Sequence, residues 1–234
     1  MKHPIAKISP ETIMYPRSYQ PFGKSWEKWA ATWCNWLLSI PKDKNPAVDE
    51  TGENSPQNQD DTNVWFLAGS FGNTLPVKRK CTVPKSRALL FPIANKEDSF
   101  AEDQDLIYEE ELALRARKSM DRLICLELMV DGKKLPNLNE YRVMSDFFDL
   151  VFPENNVYDV KVGLTRAVCD GYWAFLRPLS VGSHEIYFSA KIFLPKDDQV
   201  TKQIKNRSIY GPVAEEVDKK SKLSIEVTYE LEVD

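Results

Sequence analysis

Four of the six tryptophans in this chain stand on one stretch, Ser25 to Ile40, at helical spacing. At about 100° per residue, Trp26, Trp29, Trp33 and Trp36 fall within an arc of roughly 80°. Ala30, Leu37 and Ile40 widen the stripe to about 120°, the width of a core-facing helix surface. Lys28, Thr32, Asn35 and Ser39 lie opposite. Ser25 suits the N-cap, because its hydroxyl can accept from a free N–H of the first turn. Glu27 suits the positive end of the helix dipole. Pro41 cannot continue the ladder and stops the helix. Such a stripe has to be buried, and the reading is a helix at about 25–40 packed on a sheet. An aromatic platform for a sugar or base is the alternative.

The sheet comes from the rest of the chain. Val64–Ala68, Cys81–Val83 and Ala88–Ile93 are short apolar runs punctuated by glycine and proline. Pro92 inside the last marks an edge or a bulge. Leu123 to Val130 alternates, with Ile124, Leu126, Leu128 and Val130 on one face, and Asp131-Gly132 closes a hairpin. Phe147–Phe152, Ala167–Leu176 and Glu185–Phe193 follow. Leu223 to Val233 ends the series with one dry face and one wet face, the signature of an antiparallel layer. Between Glu97 and Glu111 eight of fifteen residues are acidic, and Arg115, Arg117 and Lys118 follow. Acid first and base last predicts a second helix at about 105–120, with Glu111 and Arg115 paired at i,i+4. The expected architecture is mainly β with flanking α. It is an antiparallel β-sandwich, jelly-roll or immunoglobulin-like, with an N-terminal Trp-rich helix and one further helix. Residues 1–23, with four prolines, read as an extended arm, and 24–234 as a single domain.

Composition narrows the function classes. The 234 residues carry a net charge of −4, which disfavours a nucleic-acid or anionic-membrane surface. Lys78-Arg79-Lys80 and Lys202 to Arg207 read as solvated loops. No apolar run reaches the ~18 residues of a membrane span, and Met1–Gln20 has no signal-peptide core. The expectation is a cytoplasmic protein whose Cys34, Cys81, Cys125 and Cys169 are buried free thiols. In that setting Asn206-Arg207-Ser208 matches a glycosylation acceptor by chance.

Several runs together resemble a family of uncharacterised microbial proteins. They are the paired tryptophans, Leu37-Leu-Ser-Ile-Pro-Lys42 with Asn45-Pro46, Asp49 and Thr51-Gly52, then Val64-Trp-Phe-Leu-Ala-Gly69, Cys81-Thr-Val-Pro84 and Ala88-Leu-Leu-Phe-Pro-Ile93 with Asn95. Leu179-Ser-Val-Gly-Ser-His184-Glu-Ile-Tyr-Phe188 is similar to that family's C-terminal strand motif. The resemblance covers residues 20–195 and implies no activity. Its members often look exported and carry a cysteine near the Thr-Gly loop that could pair with the one in Cys-Thr-Val-Pro. Here that loop has Ser55.

Catalytic signatures are missing. There is no Gly-x-Ser-x-Gly elbow, phosphate loop or dinucleotide fingerprint. His184 follows a Gly-Ser turn and reads either as a general base or as a turn histidine bonded to a backbone carbonyl. Calcium could use Asp49, Glu97, Asp98, Asp103 and Asp105, but the spacing of an EF-hand loop is absent, and neither a metal nor another cofactor is assigned. The primary expectation is therefore a non-catalytic binding or protein-interaction protein, with a protein or small ligand as partner and self-association open. Its recognition edge would comprise the long loop at 42–63 and the acidic stretch at 95–105. Asp49, Asn95, Glu97, Asp98 and His184 are the candidate ligand-binding residues. The alternative is a hydrolase for a glycan or ester, in which Asp49, Glu97 and His184 converge in one pocket.

Overall fold

A computed structural model describes residues 13–72, 75–196 and 220–234, with Lys202 and Val217. In chain order the elements are α1 (Trp26–Leu38), β1 (Val64–Phe66), β2 (Val77–Val83), β3 (Ala88–Ser99), α2 (Glu109–Met120), β4 (Leu123–Val130), β5 (Lys133–Lys134), β6 (Arg142–Met144), β7 (Phe148–Phe152), β8 (Gly163–Leu176), β9 (Gly182–Phe193) and β10 (Lys222–Val233). One sheet has the order β1-β3-β8-β6, with β7 also on β8; the other runs β2-β10-β9-β4-β5. The sandwich is as expected, but the sheets are mixed. β1 pairs β3 in parallel and β2 pairs β10 in parallel, whereas the other pairings are antiparallel.

The first sheet is covered on both faces, which is why β3 and β8 are apolar through most of their length. One face meets the second sheet through Leu89, Phe91, Ala174 and Leu176 against Phe188, Val227 and Tyr229. The other meets α1, whose four tryptophans pack with Phe66, Leu90, Trp173 and Phe175. The tryptophan stripe is therefore core, not platform. Each indole N–H donates to a backbone carbonyl: Trp26 to Tyr19 (3.0 Å), Trp29 to Pro21 (2.8 Å), Trp33 to Leu67 (3.0 Å) and Trp36 to Gln57 (2.8 Å). Four rings thus pin three separate stretches of irregular chain. Ser25 caps α1 by accepting from Lys28 N–H. Within the arm, Tyr15 N–H donates to Phe175 and Arg177 N–H to Ile13, so residues 13–15 extend the end of β8.

The loop at 42–63 is anchored, not free. Asn45 is fully buried and its amide donates to the Leu37 and Ile40 carbonyls, closing the end of α1. Gly52, at φ +97°, lies on β2, where a Cβ would stand 2.2 Å from the Lys80 carbonyl oxygen; only glycine fits there. Ser55 contacts the Cys81 thiol, and burial raises that thiol to about 11. The basic triplet is likewise a strand. Lys78 and Lys80 point outward to Glu230, while Arg79 points inward and is buried.

Other expectations shift by local geometry. The second helix begins at Glu109, because the Glu111 carboxylate accepts from the N–H groups of Ile107 and Tyr108 and fixes the first turn. Arg115 pairs with Asp103. A bulge between Leu123 and Cys125 changes the phase of β4, leaving Ile124 and Cys125 exposed. Cys34 and Cys169 are buried, with their thiols in contact. Most of the charged stretch 195–221, including the glycosylation-like triplet, lies outside the described residues. No helix among the described residues is long and apolar enough to cross a membrane.

Candidate functional site

The functional geometry starts from an irregularity in β3. Pro92 has no N–H to give, and the register with β8 shifts between Pro92 and Ala94. β1 accompanies β3 only from Ala88 to Leu90. Beyond that point the chain after β1 turns away. It is held there by Arg79, whose guanidinium donates to the carbonyls of Ala68 (2.9 Å), Gly69 (2.8 Å), Asp49 (2.6 Å) and Ala47 (3.2 Å) and to the Tyr229 hydroxyl (3.1 Å). On the opposite side β8 comes unusually close. Gly171 stands opposite Asn95, and a Cβ there would be 2.6 Å from the Asn95 Cβ.

The separation leaves a cavity of about 80 Å³ beside β3. Its walls are Trp33, Cys34 and Leu37 of α1, Phe71, Tyr158, Met120 of α2, and Ile192 and Ile225 of the second sheet. Asn95, Lys96 and Glu97 supply the polar surface. Glu97 is 2% exposed, and its hydrogen-bond partner is another carboxyl, that of Glu102. Its carboxyl lies against that of Glu102 and near Cys34.

Glu97 belongs to a buried charge cluster. Lys96 Nζ is 2.9 Å from Asp98 Oδ1 and 3.5 Å from Glu102 Oε1. Ser99 Oγ donates to Glu102 at 3.2 Å, and Arg115 pairs with Asp103. Four carboxyl groups therefore face two cations. Burial, followed by the Glu102 charge, raises the Glu97 carboxyl well above the ordinary carboxylate range, with Lys96 opposing. Burial raises Asp98 to about 7, opposed chiefly by Lys96 and reinforced by Glu102 and Asp103. The folded chain thus keeps protons on these acids that the unfolded chain has released, so stability falls as pH rises through that window. For Asp98 the window runs from about 4 to about 7. Between those limits the fold is expected to lose up to about 4 kcal/mol, at about 1.4 kcal/mol per pKa unit. Urea unfolding at a series of pH values checks this. Asp98→Asn should flatten the decline across that window, and an equally steep profile would show that Asp98 is not its source.

The five sequence candidates separate. Asn95 and Glu97 share the cavity; Asp98 lies beside it in the charge cluster, away from solvent. The acidic stretch therefore forms no solvated recognition edge at these positions, because β3 carries it inside. Asp49 is a turn carboxylate: Thr51 N–H and hydroxyl, Gly52 N–H and Asn54 N–H all donate to it, and these bonds hold it below its ordinary range despite partial burial. His184 lines a separate open cleft with Asp131 and Glu232. Asp49, Glu97 and His184 thus share no cavity. His184 Nδ1 is 2.8 Å from Asp131 Oδ2, and Nε2 is 2.8 Å from the Ser180 carbonyl and 3.2 Å from Ser180 Oγ. A ring nitrogen that close to a carbonyl oxygen carries its proton and donates. It is then unable to take a proton from the Ser180 hydroxyl, and the residue ties a turn.

Sequence reasoning missed Arg79, read as solvated, and the cavity lining from α2 and the second sheet. The period-2 pattern across Val77, Arg79, Cys81 and Val83 was the available signal for Arg79. Among the described residues no group of three His, Cys, Asp or Glu side chains is placed to hold a metal ion. No protein-family model, curated protein or solved structure matches the chain.

Proposed function

We propose that this chain is a non-catalytic binding protein that takes a small, mostly apolar ligand, or the end of a longer one, into the cavity beside β3. The observation that carries the reading is Glu97: a carboxyl group 2% exposed, whose hydrogen-bond partner is a second carboxyl, that of Glu102, lining an otherwise largely apolar chamber. A ligand that donates to the remaining acceptor positions of Glu97 adds a hydrogen bond worth about 0.5–1.5 kcal/mol. The chamber's 80 Å³ corresponds to about three water volumes. It suits a guest, or an inserted group, of about three to five non-hydrogen atoms.

The test is thermal unfolding in the presence of small alcohols, amides and amines of that size. A ligand that binds only the folded state raises the midpoint with concentration, the stability gained being about 2.7 kcal/mol at a hundredfold excess over Kd. At least one member is expected to do so, and Leu223→Trp, at a position of β10 that also lines the chamber and would fill it, should abolish the effect. No response from any member, or an undiminished response in Leu223→Trp, would overturn the reading.

A further inference from the structure

We infer that the chamber is selective for a small primary ammonium ion, whose charge is received by the buried Glu97 carboxyl. The inference rests on the binding reading above and names the ligand class for the same site. Its basis is the balance of charge around Glu97. From β3, Lys96 and Asp98 act on it, with Glu102 from the following turn and Cys34 from α1; further out, Asp103 pairs with Arg115 of α2, and Cys169 of β8 lies against Cys34. The acids of the cluster outnumber its cations four to two, and the Cys34 thiol is neutral because burial raises it further. Protons make up the missing positive charge in the empty chamber. An entering ammonium ion supplies it instead, and the Glu97 proton leaves to solvent.

The walls favour the same ligand. Trp33, Phe71 and Tyr158 present aromatic surface to the chamber, and ring faces attract cations. The Asn95 side-chain carbonyl supplies a further acceptor, its amide being oriented towards Cys34 Sγ at 3.9 Å. Leu37 and Ile225 leave an apolar end for a short alkyl chain. A small anion would meet the reverse arrangement. A neutral alcohol of equal size would gain the apolar contacts but leave the charge balance as it was.

The experiment is isothermal titration of the full chain with n-propylammonium chloride and with 1-propanol. Each is titrated at several pH values between about 5.5 and 8, in two buffers of different protonation heat. The amine is expected to bind at least tenfold more tightly than the alcohol. Its affinity should rise with pH, by up to tenfold per unit while Glu97 is protonated, with proton release visible as a buffer-dependent heat. Glu97→Gln should lose the preference and keep alcohol binding. Equal affinity for amine and alcohol without proton release would overturn the ammonium assignment while leaving the binding chamber intact. Preference retained in Glu97→Gln would overturn it too. Absence of binding by either compound would remove both readings. If Glu97→Gln does not fold, the pH series and buffer comparison on the unaltered chain decide alone.

Discussion

Arg79→Met is expected to destabilise the fold by about 3–5 kcal/mol, a large share of the 5–15 kcal/mol that holds a typical domain together. The side chain is 1% exposed and has no carboxylate among its hydrogen-bond partners. Its charge is balanced instead by four backbone carbonyls and by the face of Tyr229, 5.6 Å away. Methionine matches the apolar bulk but leaves those carbonyls without a donor, at about 1–3 kcal/mol for each that water cannot reach. Loss of the buried charge offsets part of that cost. Lysine should not rescue the fold, because a single ammonium cannot reach oxygens set around a planar fork. Urea unfolding of both variants is the measurement. A loss below about 1 kcal/mol in either would mean that the segments at 47–49 and 68–69 are held by something else. Because those segments wall the cavity, a folded Arg79→Met should also bind its ligand more weakly.

Trp29→Ala should cost a similar amount, about 3–5 kcal/mol. The ring is 1% exposed and meets Phe22, Phe66 and Phe175 edge-on at centroid distances of 6.4, 6.4 and 5.5 Å. Alanine removes those contacts and the bond to Pro21, and opens a hole between helix and sheet that the packed layers cannot close. Trp29→Phe keeps most of the ring and gives up the N–H donor, so it should cost about 1–2 kcal/mol. The difference between the two separates packing from the loop tether. Equal losses would show that the hydrogen bond, not the ring, holds the helix in place.

The sequence made one kind of information easy to read and concealed another. Periodicity located α1 and β10 to within about two residues, since burial of one face imposes its spacing on the residues. It was least informative where burial does not follow a period. β3 is covered on both faces, so Asn95 to Ser99 continue the strand although their composition is that of a polar loop. Arg79 sits at an inward position but carries the residue type of a surface. Its carbonyl partners are backbone atoms some ten and thirty positions away in the chain, which leave no mark on the identity of neighbouring side chains. Of the candidate site, Asn95 and Glu97 were legible as polar residues in an odd place. Their convergence with α1, α2 and the second sheet depends on a bulge at Pro92 and on Gly171, features whose spatial effect appears only once strands are paired.

The parallel contact between β2 and β10 bears on how the polypeptide is made. β10 lies between β2 and β9 in its sheet, yet about 140 residues separate it from β2 along the chain. As the protein emerges from the ribosome, β2 waits with an open margin, and β9 has only β4 beside it. Tyr229, which Arg79 needs as a partner, does not yet exist. Completion of the layer, and of the chamber wall it supplies, is therefore deferred until β10 is synthesised, and until then the open margins are exposed to chaperones and to aggregation.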